Sequence, residues 1–170
     1  MDYEEFTIRR LLSVKSAYSP SFDYKGDRIA FISDISGVPQ VWVWEKGEVD
    51  ELTPFGERVA AASFSPSRSQ LAFSMDAGGD EFFQIYLLEH GKIIKLTENG
   101  TLNYLGPWSW DGRLLAFTSN ARDKSCLDAY VADTYNGSVK LLSRFEGWCF
   151  AESWLPKGDG LIVNEMISSS

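Results

Sequence analysis

Side chains that commonly carry catalysis are few in this 170-residue sequence. His90 is its only histidine, and it lies in a predicted hairpin turn with no nearby serine in a nucleophile elbow. A general base must reach the nucleophile's proton and be oriented by a carboxylate. We therefore expect His90 to be a solvated surface residue, and the sequence predicts no catalytic residue.

An acidic, glycine-containing segment is the second candidate for chemistry. Asp76, Asp80 and Glu81 surround Gly78 and Gly79, which superficially resembles a calcium loop. Such a loop needs alternating acids and a distant glutamate, and this spacing is missing. No Gly-Lys-Ser/Thr follows the glycines, as a phosphate-binding loop would require. We interpret the segment as a tight connection between two strands, and we predict neither a metal nor a cofactor.

The remaining reactive or charged residues are also interpreted as structural. Cys126 and Cys149 form no Cys-x-x-Cys motif. We expect two free, half-buried thiols, because an intracellular chain rarely holds a disulfide. The run of Arg122, Asp123 and Lys124 is interpreted as a solvated loop. No converging carboxylate pair can be placed on the sequence, so a glycosidase or lyase centre is not expected.

The composition is that of an acidic, folded domain. Hydrophobic residues make up 44% of the chain and aromatic residues 14%, enough for a sizeable core. A net charge of −8 with scattered basic residues disfavours nucleic acid and anionic membranes as partners. Residues 1–5 lack a signal-peptide pattern, and no apolar run approaches the ~20 residues that cross a bilayer. We expect a cytoplasmic protein.

The elements that would position any site are four copies of one pattern. In each copy an aromatic residue precedes a tight turn and an apolar strand. The second copy, residues 63–74, is Ser-Phe-Ser-Pro-Ser-Arg-Ser-Gln-Leu-Ala-Phe-Ser, in which Pro66 presets φ at the first corner of the turn. The copies start 42, 44 and 46 residues apart. The aromatic residues, each with the mid-strand residue eight positions later, are Phe22 with Ala30, Phe64 with Ala72, Trp108 with Ala116, and Trp154 with Ile162.

The first three copies continue into two further strands. The third strands are rich in β-branched and aromatic residues, and a glycine-containing turn suited to a tight hairpin follows each one. The last strands alternate apolar with polar residues, as half-exposed outer strands do. A complete copy is therefore predicted to be a four-stranded antiparallel sheet. The third strands, turns and last strands are 40–44, 46–48 and 49–53; 84–88, 90–92 and 93–97; and 128–132, 136–138 and 139–143.

A period of about 40 to 45 residues with four strands is typical of a β-propeller blade. Such a sheet has two apolar faces, and stacking around an axis buries both. The alanines indicate close approach of neighbouring sheets, and we expect Trp42, Tyr86 and Tyr130 to fill the wider gap as core residues, not as a ligand cage. The sequence predicts an all-β partial propeller of about three and a half blades: a lead-in over 1–16, blades over 17–57, 58–101 and 102–146, and a half blade over 147–170.

Three and a half blades do not close a ring, because propellers need about four to eight. We therefore expect either a piece of a longer polypeptide or an association of two copies through their open faces, and an unstable free monomer. Before the first blade, the spacing of Phe6, Arg10 and Leu11 predicts a short helix or strand. Residues 16–20 are predicted to turn the chain into blade 1.

Several of these motifs resemble known families. Ser-Phe-Ser-Pro-x-x-x-x-Leu-Ala-Phe-Ser resembles the blade signature of TolB-like proteins and of serine peptidases of the prolyl oligopeptidase family. Residues 20–42, which begin Pro-Ser-Phe-Asp-Tyr-Lys-Gly-Asp and end Val-Pro-Gln-Val-Trp, resemble the first blade of the acylaminoacyl-peptidase branch. Residues 76–86, Asp-Ala-Gly-Gly-Asp-Glu-Phe-Phe-Gln-Ile-Tyr, are similar to the loop and strand of its second blade. The lead-in at 6–12 lies where that family has a short segment.

The resemblance implies a two-domain enzyme in which a propeller caps an α/β-hydrolase domain and limits access by large substrates. This sequence has no Gly-x-Ser-x-Gly nucleophile elbow, so no triad is transferred to it. Its adjacent glutamates, Glu4 and Glu5, lie outside the blades and do not take the amine-binding role of the dipeptidyl-peptidase branch. The sequence assigns no substrate-binding residue.

Two functions follow from the resemblance. The first is a non-catalytic propeller portion of such a peptidase, which gates access to a hydrolase domain of a longer parent chain and meets peptide substrates only through that parent. The alternative is a stand-alone TolB-like scaffold for protein–protein interaction, whose ring closes when it binds a second copy of itself.

Overall fold

The computed structural model describes residues 13–166, and all of their regular structure is β. Three four-stranded antiparallel sheets and one two-stranded sheet confirm the predicted propeller of three and a half blades. This part of the chain contains no helix long and apolar enough to cross a membrane. The strands are β1 (Ala17–Phe22), β2 (Arg28–Ser33), β3 (Gln40–Glu45) and β4 (Glu48–Glu51) in blade 1; β5 (Val59–Phe64), β6 (Gln70–Met75), β7 (Gln84–Glu89) and β8 (Lys92–Lys95) in blade 2; β9 (Asn103–Trp108), β10 (Leu114–Ser119), β11 (Asp128–Asp133) and β12 (Val139–Ser143) in blade 3; and β13 (Trp148–Trp154) and β14 (Leu161–Met166) in the half blade.

Within each sheet the strands follow chain order, so consecutive strands are hydrogen-bonded neighbours. Contacts between blades are concentrated at the first strands, with β1 against β5 and β9 against β13. The first strand of each blade therefore lies nearest the axis, and the last strand lies at the rim. The loops that join β1 to β2, β5 to β6 and β9 to β10 all emerge at one end of the propeller, because each blade has the same up-and-down order.

Two of the predicted hairpin turns are two-residue loops with a left-handed backbone. Lys46 and Gly47 have φ of 51° and 94°, and His90 and Gly91 have φ of 50° and 75°. Positive φ at both central positions is the type I′ geometry, whose twist matches the strands on either side. Glycine at the second position makes this conformation accessible.

Two layers of the core lie between neighbouring complete blades, one between blades 1 and 2 and the other between blades 2 and 3. Ala30 and Ala72 are fully buried in these layers, as expected for residues at which neighbouring sheets approach closely. Tyr86 stacks on Phe73 at 5.2 Å, at the half-buried edge of a layer. The first layer contains Ala30, Ile32, Val41, Val43, Val59, Phe64, Leu71 and Phe73. The second contains Ala72, Ile85, Leu87, Leu96, Trp108, Leu115, Phe117 and Ala132.

The start of blade 1 differs from the prediction. Residues 16–20 are mostly strand rather than turn, since β1 begins at Ala17, which pairs with Ser33. Ser19 has a φ of 54°, and the pairing register shifts between Tyr18 and Ser21. This bulge bends the strand without ending it. The Ser and Pro residues that accommodate the bend are the ones from which the sequence predicted a turn. The predicted lead-in element over residues 6–12 lies outside the described residues.

The outer strands of blades 1 and 2 end earlier than predicted. At their ends a threonine hydroxyl, rather than a main-chain carbonyl, accepts the hydrogen bond from the third strand. The main-chain N–H of Val41 donates to Thr53 Oγ1 at 2.7 Å, and that of Ile85 donates to Thr97 Oγ1 at 2.9 Å. Strands β4 and β8 therefore end before these residues.

Candidate functional site

Neighbouring blades are joined by a contact that recurs between their first strands. In each case the aromatic residue at the end of one first strand donates a hydrogen bond to the residue before its counterpart in the preceding blade. These bonds fix the register of one blade on the next. The three contacts are Phe64 N to Ser21 Oγ (2.9 Å), Trp108 Nε1 to Ser63 Oγ (2.9 Å) and Trp154 Nε1 to Pro107 O (3.0 Å).

An arginine in the β5–β6 turn joins blade 2 to blade 3. Arg68 Nη2 donates to Thr134 Oγ1 at 2.6 Å and to Thr134 O at 3.0 Å. Its guanidinium carbon lies 3.9 Å from the centre of the Tyr135 ring, within the range of a cation–π interaction. Polar contacts as well as apolar packing therefore hold these blades together.

An ion pair between a partly exposed arginine and a buried aspartate holds the connection from blade 3 to the half blade. The fully buried Asp128 carboxylate accepts hydrogen bonds from Arg122 Nε at 2.5 Å, from Arg122 Nη2 at 3.0 Å and from Phe145 N at 2.8 Å. Burial by itself would raise the pKa of Asp128, but the bonds from Arg122 and Phe145 outweigh it and lower that pKa. Arg122, which lies in the loop predicted to be solvated, keeps 31% of its side chain exposed and also acts as a structural cation.

Alignment of the blades gives a sequence signal for this ion pair, because Asp128 occupies a position that holds glutamine in the other two complete blades. The same position at the start of the third strand holds Gln40 in blade 1 and Gln84 in blade 2. Each glutamine amide donates to the carbonyl of the next connection, Gln40 to Glu57 O at 2.7 Å and Gln84 to Thr101 O at 2.9 Å. A carboxylate cannot donate, so blade 3 offers it a main-chain N–H and a cation instead.

The predicted candidates for chemistry are not brought together. His90 is exposed in its type I′ turn. Asp80 Oδ1 accepts from Phe82 N at 3.0 Å, and Glu57 Oε2 accepts from Gly78 N at 2.7 Å, so these carboxylates bind the main chain of the glycine loop. Among residues 13–166, no three His, Cys, Asp or Glu side chains lie close enough to hold a metal ion.

Both cysteines are free thiols, and both are buried rather than half-buried. Burial, together with the nearby Asp128 and Glu165 carboxylates, raises the pKa of the Cys149 thiol to about 11. A thiol that stays protonated is a poor nucleophile, so Cys149 has the properties of a core residue.

The two ends of the blade array carry apolar faces of the kind that is buried between blades. Phe22 is 64% exposed, whereas its counterparts Phe64, Trp108 and Trp154 are at most 9% exposed. At the other end Ile162 is 50% exposed, whereas the alanines at its position are fully buried. We call the face that carries Phe22 the leading face and the face that carries Ile162 the trailing face.

Radially stacked four-stranded sheets with a repeated contact between them define the described residues as a β-propeller segment. The chain belongs to the TolB β-propeller domain family, whose sequence profile matches residues 1–169. No curated protein matches the chain.

Solved structures share this fold. TolB from Acinetobacter baumannii is 24% identical with a TM-score of 0.70, and the match covers 92% of this chain and 39% of that one. A putative TolB from Agrobacterium tumefaciens is 18% identical with a TM-score of 0.66, covering 90% of this chain and 60% of that one. A puromycin-hydrolyzing peptidase from Mycobacterium tuberculosis is 16% identical with a TM-score of 0.54, covering 76% and 21%. The chain thus spans less than two thirds of the length of each of these proteins. Membership of the acylaminoacyl-peptidase branch stays a prediction.

Proposed function

We propose that this chain is a non-catalytic propeller scaffold that works by binding other propeller blades through its leading and trailing faces. The exposure of Phe22 carries the proposal, because the same aromatic position is buried against the preceding blade everywhere else in the described array. Burying a phenylalanine side chain contributes about 1.5–3 kcal/mol, so a blade that covers this face gains a large apolar contact.

The two faces also suit each other. Ser153 takes the position that Ser21 and Ser63 occupy, and within residues 13–166 its hydroxyl bonds only to the adjacent Trp154 O at 3.2 Å. On the pattern of the other blades, Ser153 accepts from the N–H of an incoming aromatic residue such as Phe22. A blade of a longer polypeptide and a second copy of this chain offer the same chemistry.

Light scattering after size-exclusion chromatography tests the proposal. The purified chain is expected to associate, with a mass near twice 19.1 kDa. Phe22→Asp on the leading face and Ile162→Asp on the trailing face are each expected to abolish the association. Leu142→Asp is the control, because Leu142 is as exposed as Ile162 but lies on outer strand β12. A stable wild-type monomer would contradict the proposal.

A second candidate is the gating portion of a serine peptidase. Its support is the resemblance of the Gly78–Gly79 loop to the acylaminoacyl-peptidase branch, together with the fold shared with the puromycin-hydrolyzing peptidase. In that role the scaffold binds a hydrolase domain and limits the size of peptide that enters. The chain alone is expected not to hydrolyse acyl-amino-acid or peptide nitroanilides. Hydrolysis that copurifies with the chain and survives a serine-directed reagent would exclude this candidate.

A cytoplasmic location stays a prediction.

A further inference from the structure

The layers on the two sides of blade 2 can be compared residue by residue. Blades 2 and 3 repeat with a constant offset of 44 residues from Val59 to Tyr86, so Phe73 corresponds to Phe117 and Tyr86 to Tyr130. The two aromatic pairs are stacked alike, with ring centres 5.2 Å and 5.5 Å apart and an interplanar angle of 16° in each.

An aromatic ring covers the first of these stacks but not the second. Phe55, in the connection from blade 1 to blade 2, lies on Phe73 with ring centres 6.1 Å apart and an interplanar angle of 21°. The next connection has the same length and the same left-handed glycine, Gly56 corresponding to Gly100 with φ of 75° and 72°. Asn99 takes the position of Phe55 there, and its side chain is exposed and bonded to Lys95.

The place without a ring is a cavity of about 230 Å³ over the Phe117–Tyr130 stack. Two further positions in its wall are polar where the other layer is apolar, since Asn103 replaces Val59 and Ser119 replaces Met75. Three changes at matched positions thus convert a filled apolar contact into an open cavity with polar groups. The lining also includes Thr97, Glu98 and Thr101.

The Asn103 side chain supplies an unpaired acceptor. Asn103 is 1% exposed, and its Nδ2 donates to Phe83 O at 2.8 Å and to Thr101 O and Oγ1, each at 3.0 Å. These bonds fix the amide orientation, and Oδ1 has no partner among residues 13–166. A buried acceptor without a donor is unfavourable, so a ligand that donates a hydrogen bond here gains affinity.

We propose that this cavity binds a small planar aromatic ligand that carries one O–H or N–H donor. The ring lies on the Phe117–Tyr130 stack as Phe55 lies on Phe73, and the donor binds Asn103 Oδ1. An apolar cavity of about 150 Å³ is sufficient for benzene, so 230 Å³ accommodates a ring with one polar substituent. This site is independent of the leading and trailing faces.

Titration of the full chain with phenol, followed by calorimetry and ligand-observed NMR, tests the proposal. Phenol is expected to bind saturably at one site. Benzene, which lacks the donor, is expected to bind about fivefold more weakly, and so is cyclohexanol, which lacks the planar ring. No saturable binding of phenol, or equal binding of all three compounds, would overturn the proposal.

Three variants locate the site. Asn99→Phe restores the ring of the neighbouring layer and is expected to weaken phenol binding more than tenfold, whereas Asn136→Phe, in the β11–β12 turn, is expected to leave it unchanged. Asn103→Val removes the acceptor and is expected to reduce phenol affinity to that of benzene. Phe55→Asn opens the matching position in the other layer, and the number of benzene sites is expected to rise from one to two. Phenol affinity unchanged in both Asn99→Phe and Asn103→Val would refute the assignment.

Discussion

Replacing Arg122 by Met removes the cation that faces the buried Asp128 carboxylate. Of its three hydrogen bonds, Asp128 then keeps the one from Phe145 N. An orphaned buried charge destabilises a protein by about 3–5 kcal/mol. Protonation would neutralise the buried carboxylate, and for a group with an ordinary pKa of about 3.9 this costs about 4 kcal/mol at pH 7. We therefore expect Arg122→Met to lower the free energy of unfolding by about 3–4 kcal/mol at pH 7.

The exposed ion pair of blade 3 is the matched control. Arg113 Nη2 lies 3.2 Å from Asp133 Oδ2, but the arginine side chain is 63% exposed. Pairs of this kind contribute about 0–1 kcal/mol, so Arg113→Met is expected to have a small effect. Adding Asp128→Gln to Arg122→Met installs the residue found in blades 1 and 2 and is expected to recover most of the loss.

Urea unfolding, followed by tryptophan fluorescence, measures the free energies of unfolding of the wild type and the two Met variants. The pH dependence of these free energies provides a second test. The folded-state pKa of Asp128 is lowered in the wild type, so its contribution is complete above the unfolded pKa and is lost as pH falls through the folded pKa. In Arg122→Met that pKa is expected to rise, so the deficit grows with pH between about 4 and 7. An Arg122→Met variant as stable as Arg113→Met, or a deficit that does not change with pH, would refute the reasoning.

Three other outcomes are expected from the described contacts. Gly112→Ala should destabilise the chain by about 1–2 kcal/mol more than Gly158→Ala in urea unfolding, because both glycines have φ near 70° but only the new Cβ at 112 overlaps the hydroxyls of Ser67 and Ser65. Equal losses would contradict this. Trp108→Phe should cost about 1 kcal/mol, measured in the same way, through the lost indole N–H bonds to blade 2. Cys149 should react with a thiol reagent at pH 8 only after unfolding, and rapid labelling of the native chain would show that its burial is wrong.

The blades could be predicted because their signals are local and repeat along the chain. Alternating apolar residues marked the outer strands, apolar runs marked the buried ones, and glycines marked turns such as Lys46–Gly47. One error fell where a side chain replaced a backbone partner. Thr53 ended β4 early because its hydroxyl bonds the Val41 N–H, 12 residues away, and no local pattern reveals such a contact.

The cavity over the Phe117–Tyr130 stack was less accessible to sequence reasoning, because it depends on the ring that is missing at position 99. Asn99 is an unremarkable loop residue by itself. It becomes informative only when the copies are aligned and Phe55 stands at the equivalent place. Likewise Arg122 belongs to a charged run, and its contact with Phe145 O at 3.1 Å requires knowledge of how blade 3 meets the half blade.

Each blade in this array contacts only the blades beside it, which makes its thermodynamics nearly one-dimensional. Blade 2 has a neighbour on both faces, whereas β14 has a strand on one side and the open trailing face beside it. In the unassociated chain, opening should therefore begin at the two end blades and reach the centre last, so amide protons in β6 should exchange with solvent far more slowly than those in β14. A closed ring of blades, in contrast, has no terminal blade at which unfolding would begin.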